Sequence, residues 1–204
     1  MLRSVAVTAA SFVALGLGAT WYISSQANAD QFGECRTTAV AGAPEIGGPF
    51  ELVNGEGETV TDKDVITEPT IIYFGYTFCP DVCPLDTVRN AEAVDVLAGR
   101  GTSMTPVFIT IDPERDTPDV IGDYVELMHE RMIGLTGSVE QVQAASSAYK
   151  TFYRKQPGDP EFYLVDHSTF SYLVLPEHGF VEFFRRDLTA EQVADVAQCF
   201  IENA

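Results

Sequence analysis

Hydrophobic and polar residues alternate along the chain in blocks that have the lengths of strands and helices. Runs rich in β-branched and aromatic residues predict buried strands at residues 70–76 and 105–111. Start and stop signals predict helices between and after the strands, such as Pro118 at a first helical position and the capping pair Ser138 with Gln141. The predicted helices cover residues 85–97, 118–132 and 138–152, and a final one follows the capping pair Thr189 and Gln192.

The order of these elements predicts an α/β fold. A Gly-rich turn between residues 50–53 and 58–61 indicates an N-terminal hairpin, and residues 170–175 and 180–184 predict two strands before the last helix. Strands and helices that alternate and end in a hairpin and a helix are typical of a thioredoxin-like sandwich. Residues 153–162 interrupt this order and are predicted to form an inserted loop before the strand that bears His167.

Residues 5–23 are apolar or weakly polar throughout. As a helix they would cross about 28 Å at about 1.5 Å per residue, close to the ~30 Å hydrocarbon core of a bilayer. Arg3 precedes them and the next basic residue is Arg36, so the positive-inside rule places the N-terminus in the cytoplasm. Residues 1–24 are therefore predicted to be a transmembrane anchor or an uncleaved signal. The alternative is a cleaved signal peptide, for which residues 27–29 offer a site. Either way the remainder is exported.

The composition indicates one exported domain behind a linker. Ala, Gly, Thr and Pro dominate residues 25–48 without periodicity, which is typical of a flexible linker. Residues 49–204 then form one domain with enough chain to bury a core. The formal net charge of −18 argues against nucleic-acid binding, which requires clustered Lys and Arg.

The strongest chemical signal is a pair of cysteines, Cys79 and Cys83, in the segment Phe78-Cys79-Pro80-Asp81-Val82-Cys83-Pro84. Pro84 suits the start of a helix, so both thiols are expected at a strand-to-helix turn, where helix N-terminal amides favour the thiolate. Three residues separate the cysteines, whereas a thioredoxin-type redox pair has two between them. Two soft thiolates suit a soft metal such as Cu(I), provided that a third ligand arrives from elsewhere.

The leading candidate for the third ligand is His167. The chain has three histidines; His129 is expected on a solvated helix face and His178 in a turn. The cysteine segment, the segment Asp112-Pro113-Glu114-Arg115-Asp116-Thr117-Pro118 and the triplet Asp166-His167-Ser168 occur in that order. With these three motifs, the chain from about residue 49 to the C-terminus resembles the SCO/SenC family of membrane-tethered copper proteins, which assist the assembly of cytochrome c oxidase.

The resemblance implies that Cys79, Cys83 and His167 bind copper, as Cu(I) or Cu(II). It also implies a copper metallochaperone whose partners are the copper-centre subunit of cytochrome c oxidase and other copper carriers or thiol reductants. An N-terminal span would hold the protein at the inner membrane, with the soluble domain in the periplasm or the equivalent intermembrane space. Arg115 and Asp116 then either rim the metal site or belong to an ordinary helix entry.

Other interpretations of the cysteines stay open at this point. Cys79 and Cys83 could form a redox-active disulfide, as in a thiol–disulfide oxidoreductase that reduces the cysteines of the oxidase copper site, or a structural disulfide. Zinc also binds Cys and His, but a structural zinc site generally has four protein ligands. Cys35 and Cys199 either form a bridge, which an exported protein can retain, or remain two unpaired thiols.

Overall fold

The computed structural model describes residues 31–36, 46–159 and 161–204. The strands in these residues are β1 (Glu51–Asn54), β2 (Thr59–Thr61), β3 (Thr70–Gly75), β4 (Thr105–Thr110), β5 (Ile133–Thr136), β6 (Tyr153–Lys155), β7 (Val165–His167), β8 (Ser171–Leu175) and β9 (Gly179–Phe184). The helices are α1 (Asp62–Val65), α2 (Val82–Gly99), α3 (Pro118–Met128), α4 (Val139–Ala148) and α5 (Ala190–Glu202). All of them lie within the compact unit Cys35–Ala204.

Seven strands form one mixed sheet in the order β2-β1-β5-β4-β3-β8-β9. Strands β3, β4 and β5 are parallel, whereas β8 runs antiparallel to β3 and β9 antiparallel to β8. At the other end β1 pairs antiparallel with both β5 and β2. This mixed sheet with its helices confirms the predicted thioredoxin-like α/β fold.

The core is centred on the middle strands. Every residue of β3, β4 and β8 is buried. Central parallel strands are covered on both faces, so they consist of nearly continuous apolar residues rather than an alternating pattern. The segment that leads into the cysteines therefore starts from one of the most deeply buried elements of the domain.

The start of helix α2 and the end of helix α4 differ from the prediction. Helix α2 begins at Val82 rather than at residue 85, so that Cys83 and Pro84 both lie in its first turn, where a missing proline N–H costs no intrahelical bond. Helix α4 ends at Ala148 rather than near residue 152, and Lys150 follows in a left-handed conformation with φ 55°.

Helix α3 also ends earlier than predicted, at Met128 rather than residue 132, because His129 has an extended backbone. The expectation that His129 lies on a solvated helix face is wrong. Its side chain is only 11% exposed, and Nε2 lies 3.1 Å from Asp95 Oδ1. The imidazole thus joins the end of α3 to α2.

The predicted inserted loop is instead partly a two-stranded ribbon, formed by β6 and β7 outside the main sheet. The strands pair antiparallel, with Tyr153 opposite His167 and Lys155 opposite Val165. His167 is therefore the last residue of β7 and is not on the long strand β8, which begins at Ser171. Backbone pairing to Tyr153, which sequence patterns cannot reveal, fixes the position of this histidine.

Cys35 and Cys199 form a disulfide, with their Cα atoms 5.6 Å apart. The bond connects the segment before the domain to helix α5. The predicted anchor at residues 1–24 lies outside the described residues, as does most of the predicted linker at residues 25–48. Within the part of the chain that is described, no helix is both long enough and apolar enough to span a bilayer.

Candidate metal centre

Cys79 and Cys83 are unbonded, buried thiols at the turn between β3 and α2. The Cys79 N–H donates to the Tyr76 carbonyl over 3.2 Å, which bends the chain after β3. The N–H of Cys83 then donates to Cys79 Sγ over 3.4 Å. Cys79 retains 9% of its surface, whereas Cys83 has none, so the two sulfurs differ in their access to solvent.

The imidazole of His167 lies against Cys83, the more buried of the two cysteines. Its Nε2 lies 3.3 Å from Cys83 Sγ, and its Nδ1 lies 2.8 Å from the Ser168 carbonyl oxygen. Because a carbonyl oxygen can only accept, Nδ1 carries the proton and Nε2 directs its lone pair toward the sulfur. The rings of Tyr73 and Tyr76 pack edge-on against the imidazole, with centroids 6.3 and 5.9 Å away.

The three candidate ligand atoms, Cys79 Sγ, Cys83 Sγ and His167 Nε2, all lie within 4.8 Å of one another. Among the described residues they are the only group of three or more His, Cys, Asp or Glu side chains close enough to hold one metal ion. Two sulfurs and one imidazole nitrogen form a soft donor set that suits copper or zinc rather than magnesium or calcium. The structure therefore brings together the three residues that the sequence predicted as ligands.

The protein environment shifts the pKa values of the two thiols in opposite directions. Burial raises the pKa of Cys79, but the backbone N–H groups of Cys83, Asp81 and Val82 outweigh it and leave that pKa below its ordinary value. Burial, with the adjacent Cys79, raises the pKa of Cys83 far above its ordinary value. The expectation that the helix amides favour the thiolate at both positions is thus wrong for Cys83, where burial is the larger effect. Burial also lowers the pKa of His167, which favours neutral imidazole.

Gly75 leaves the space that Cys83 occupies. A Cβ atom at this position would lie 3.1 Å from Cys83 Sγ, 2.9 Å from Tyr73 Cε1 and 3.0 Å from Phe108 Cζ. Any side chain here would force the sulfur or one of the two rings to move. The last residue of β3 therefore shapes the site without contributing a ligand.

The predicted site lacked Tyr73, Tyr76 and Asp86. Tyr73 donates its hydroxyl to Asp86 Oδ2 over 3.1 Å, and Tyr76 accepts from the Val165 N–H over 3.3 Å. Tyrosines in an otherwise apolar buried strand were the available signal, because a buried hydroxyl requires a polar partner. Asp166 precedes His167 in the sequence, but its carboxylate accepts hydrogen bonds from Arg154 and Gln156 within the ribbon.

The segment 112–118 stabilises the turn between β3 and α2 through hydrogen bonds to Thr77. The Asp116 carboxylate, with no exposed surface, accepts from the Thr77 N–H over 3.0 Å and from the Thr77 hydroxyl over 2.6 Å. It also accepts from the Thr110 hydroxyl over 2.6 Å. Asp116 is therefore neither a rim residue nor merely part of a helix entry, because it fixes the backbone two residues before Cys79.

Comparison with known proteins identifies the family. A family model described as SCO1/SenC matches residues 38–202. The chain is 50% identical over 200 residues to Protein SenC of Rhodobacter capsulatus, covering 98% of this chain and 90% of that protein. It is 41% identical over 156 residues to Protein SCO1 homolog 1, mitochondrial, of Arabidopsis thaliana, covering 76% of this chain but only 47% of that relative. The chain thus spans about half the length of the plant protein.

A solved structure shares both the fold and much of the sequence. It is described as the crystal structure of Arabidopsis thaliana ScoI with copper bound. It is 40% identical with a TM-score of 0.73, covering 77% of this chain and 99% of that one. The family match over nearly all residues after 37, together with these identities, shows that the chain belongs to the SCO1/SenC family.

Proposed function

We propose that this protein is a copper metallochaperone, which binds copper through Cys79, Cys83 and His167 and delivers it for assembly of the copper centre of cytochrome c oxidase. The observation that carries the proposal is the convergence of two sulfurs and one imidazole nitrogen within 4.8 Å. The copper-bound relative from Arabidopsis thaliana supports the choice of metal. The family resemblance supports the oxidase copper-centre subunit as the recipient.

The donor set suits a metal that is held and then transferred. Thiolates favour Cu(I) over harder ions, and three protein ligands leave room for an incoming ligand from the recipient. A structural zinc site would instead use four protein ligands. His167 already presents a neutral Nε2, so copper binding requires proton release mainly from the thiols, above all from Cys83.

The proposed cellular arrangement follows from the N-terminal sequence. Residues 1–24 anchor the protein in the inner membrane, residues 25–48 are a linker that is tied to helix α5 at Cys35, and residues 49–204 are the copper-binding domain in the periplasm or the intermembrane space. The apolar residues 5–23 support the anchor. The Cys35–Cys199 disulfide supports an oxidising compartment, where such bonds persist.

A second candidate function, thiol–disulfide exchange, is favoured by the inequality of the two thiols. Cys79, with partial exposure and a lowered pKa, suits attack on a disulfide of the recipient. Its thiolate would form a mixed disulfide and release one recipient thiolate. Cys83 would then attack Cys79, so that the second recipient thiolate leaves and the Cys79–Cys83 pair is oxidised. This redox-active pair would need an external reductant before it could bind copper again.

The two functions are separated by His167. We expect the reduced protein to bind one copper, Cys79→Ser and Cys83→Ser to lose tight binding, and His167→Ala to weaken it while dithiol activity toward a disulfide substrate persists. His178→Ala, in the exposed turn before β9, is the matched control and should match the wild type. Copper content after dialysis against a Cu(I) chelator measures the binding. Unchanged stoichiometry and affinity in both serine variants would refute the copper site.

A further inference from the structure

Arg115 connects the loop of Cys79 to the segment that leads to His167. Its guanidinium carbon lies 3.7 Å from the ring centroid of Tyr163 and 4.7 Å from that of Phe78. Phe78 precedes Cys79 directly, and Tyr163 lies two residues before β7, which ends at His167. One cationic side chain therefore contacts aromatic rings from both ligand-bearing segments.

Asp112 fixes this cation in place. Its Oδ2 accepts from Arg115 Nε over 2.5 Å, and its Oδ1 accepts from the Tyr163 hydroxyl over 2.5 Å. Asp112 is 4% exposed and the Arg115 side chain 13%, so the ion pair is largely shielded from water. Arg115 Nη1 also reaches the Glu161 carbonyl, at 3.4 Å. These contacts, together with those to Phe78 and Tyr163, are here named the Arg115 clamp.

The ribbon needs such support. Its strands β6 and β7 have three residues each and belong to no larger sheet, and an isolated two-stranded pair is at best marginally stable. Phe162 and Phe152, next to the strands, are 81% and 57% exposed, whereas Val165 and Tyr163 are buried and the Val165 N–H donates to the Tyr76 hydroxyl over 3.3 Å, so only a few contacts attach the ribbon to the domain. The ion pair between Lys155 and Glu114 is at least half exposed on each side and adds little.

We propose that Arg115 is a positioning residue, which holds the His167 ribbon against the Cys79 loop and thereby keeps the third ligand beside the two sulfurs. The proposal rests on the proposed copper function for its consequence, although the clamp itself is a property of the metal-free protein. The guanidinium lies over two rings while its Nε bonds Asp112. A lysine ammonium cannot reproduce this arrangement, because it has no delocalised planar group that stacks on aromatic rings and bonds a carboxylate at the same time.

The test compares Arg115→Gln and Arg115→Lys with a matched control, Arg131→Gln. Arg131 also forms a partly buried pair, with Glu68, and bonds Ser103, but neither partner is in the site. In the metal-free protein, backbone amide hydrogen exchange across β6 and β7 should become at least about tenfold faster in both Arg115 variants and stay unchanged in the control.

The copper-loaded proteins provide two further measurements, the copper affinity and the Cu(II) spectrum. Loss of a supporting residue around a metal ligand typically costs about 10- to 100-fold in affinity, and we expect about tenfold for Arg115→Gln. Nitrogen coupling from the imidazole in the electron paramagnetic resonance spectrum of the Cu(II) form should weaken toward that of His167→Ala. Arg115→Lys should recover neither the copper affinity nor the nitrogen coupling of the wild type. A merely structural role would lower stability without removing the nitrogen signal.

The outcomes separate the two proposals. If the wild type binds no copper, the proposed function fails and the exchange data still decide the clamp. Wild-type ribbon exchange in Arg115→Gln would overturn the clamp whatever the copper result. If Arg115→Gln does not fold, Tyr163→Phe replaces it, since this change retains the ring and removes only the hydroxyl bond to Asp112. Ribbon exchange should then rise about threefold or more, and no rise would overturn the proposal.

Discussion

Removing the Cys35–Cys199 disulfide should lower the free energy of unfolding by several kcal/mol. The bond joins residues 164 positions apart, so it closes nearly the whole domain into one loop. In the chain-entropy model a loop of this length loses about 17 cal/mol/K in the unfolded state, or about 5 kcal/mol at 25 °C. Residual structure in the unfolded chain reduces the effect, so we expect about 3–5 kcal/mol. That is a large share of a typical domain stability of about 5–15 kcal/mol.

Urea unfolding of the metal-free protein, followed by circular dichroism, measures this loss in the variant Cys35→Ser/Cys199→Ser. The native spectrum should be unchanged, the midpoint should fall, and the slope should rise because the unfolded chain expands without the cross-link. The matched control is Cys79→Ser/Cys83→Ser, which removes two thiols that are not bonded to each other. A loss below about 1 kcal/mol in the first variant would refute the view that the bond stabilises by closing a long loop.

Two further predictions concern the site. Gly75→Ala should destabilise the protein by about 1–3 kcal/mol and weaken copper binding, because the new methyl group would lie 3.1 Å from Cys83 Sγ. The control is Gly99→Ala, where a Cβ atom would meet nothing within 4 Å beyond its chain neighbours and its own helix backbone, and equal effects of the two variants in thermal unfolding and chelator competition would contradict the packing argument. Copper affinity should rise by at least about tenfold for each pH unit between about 6 and 8, because Cys83, whose pKa burial raises, must release one proton for each copper bound, and Cys79 adds to this dependence wherever its thiol is still protonated. An affinity independent of pH in chelator competition would count against Cys83 as a ligand.

The sheet was predictable because its central strands are buried on both faces. Strands β3 and β4 are continuous apolar segments in the sequence for that reason, and the capping pairs at Ser138 and Thr189 are present in the structure. The grouping of Cys79, Cys83 and His167 was predictable from three short motifs that match a known family. Local sequence carries both kinds of information, because each depends on residues near one another in the chain.

The features that sequence could not supply depend on contacts between distant residues. The ribbon exists because Tyr153 pairs with His167, and the Cys35–Cys199 bond depends on where helix α5 packs. The raised pKa of Cys83 depends on complete burial, which outweighs the local effect of the helix N-terminus. In each case a tertiary effect overrides what the neighbouring residues alone would favour.

The two kinds of ligand receive unequal support from the fold. Cys83 lies in the first turn of an 18-residue helix, directly beside a fully buried strand, and Asp116 fixes the backbone before Cys79. His167 lies at the end of a ribbon with three residues in each strand. A site that holds copper and then releases it, as proposed above, would benefit from this inequality, because the two sulfurs stay in place while the position of the imidazole depends on a few contacts. The segment 112–118 contacts both halves of the site, with Asp116 bonded to Thr77 on the cysteine side and Asp112 bonded to Tyr163 on the histidine side, although it supplies none of the three candidate ligands.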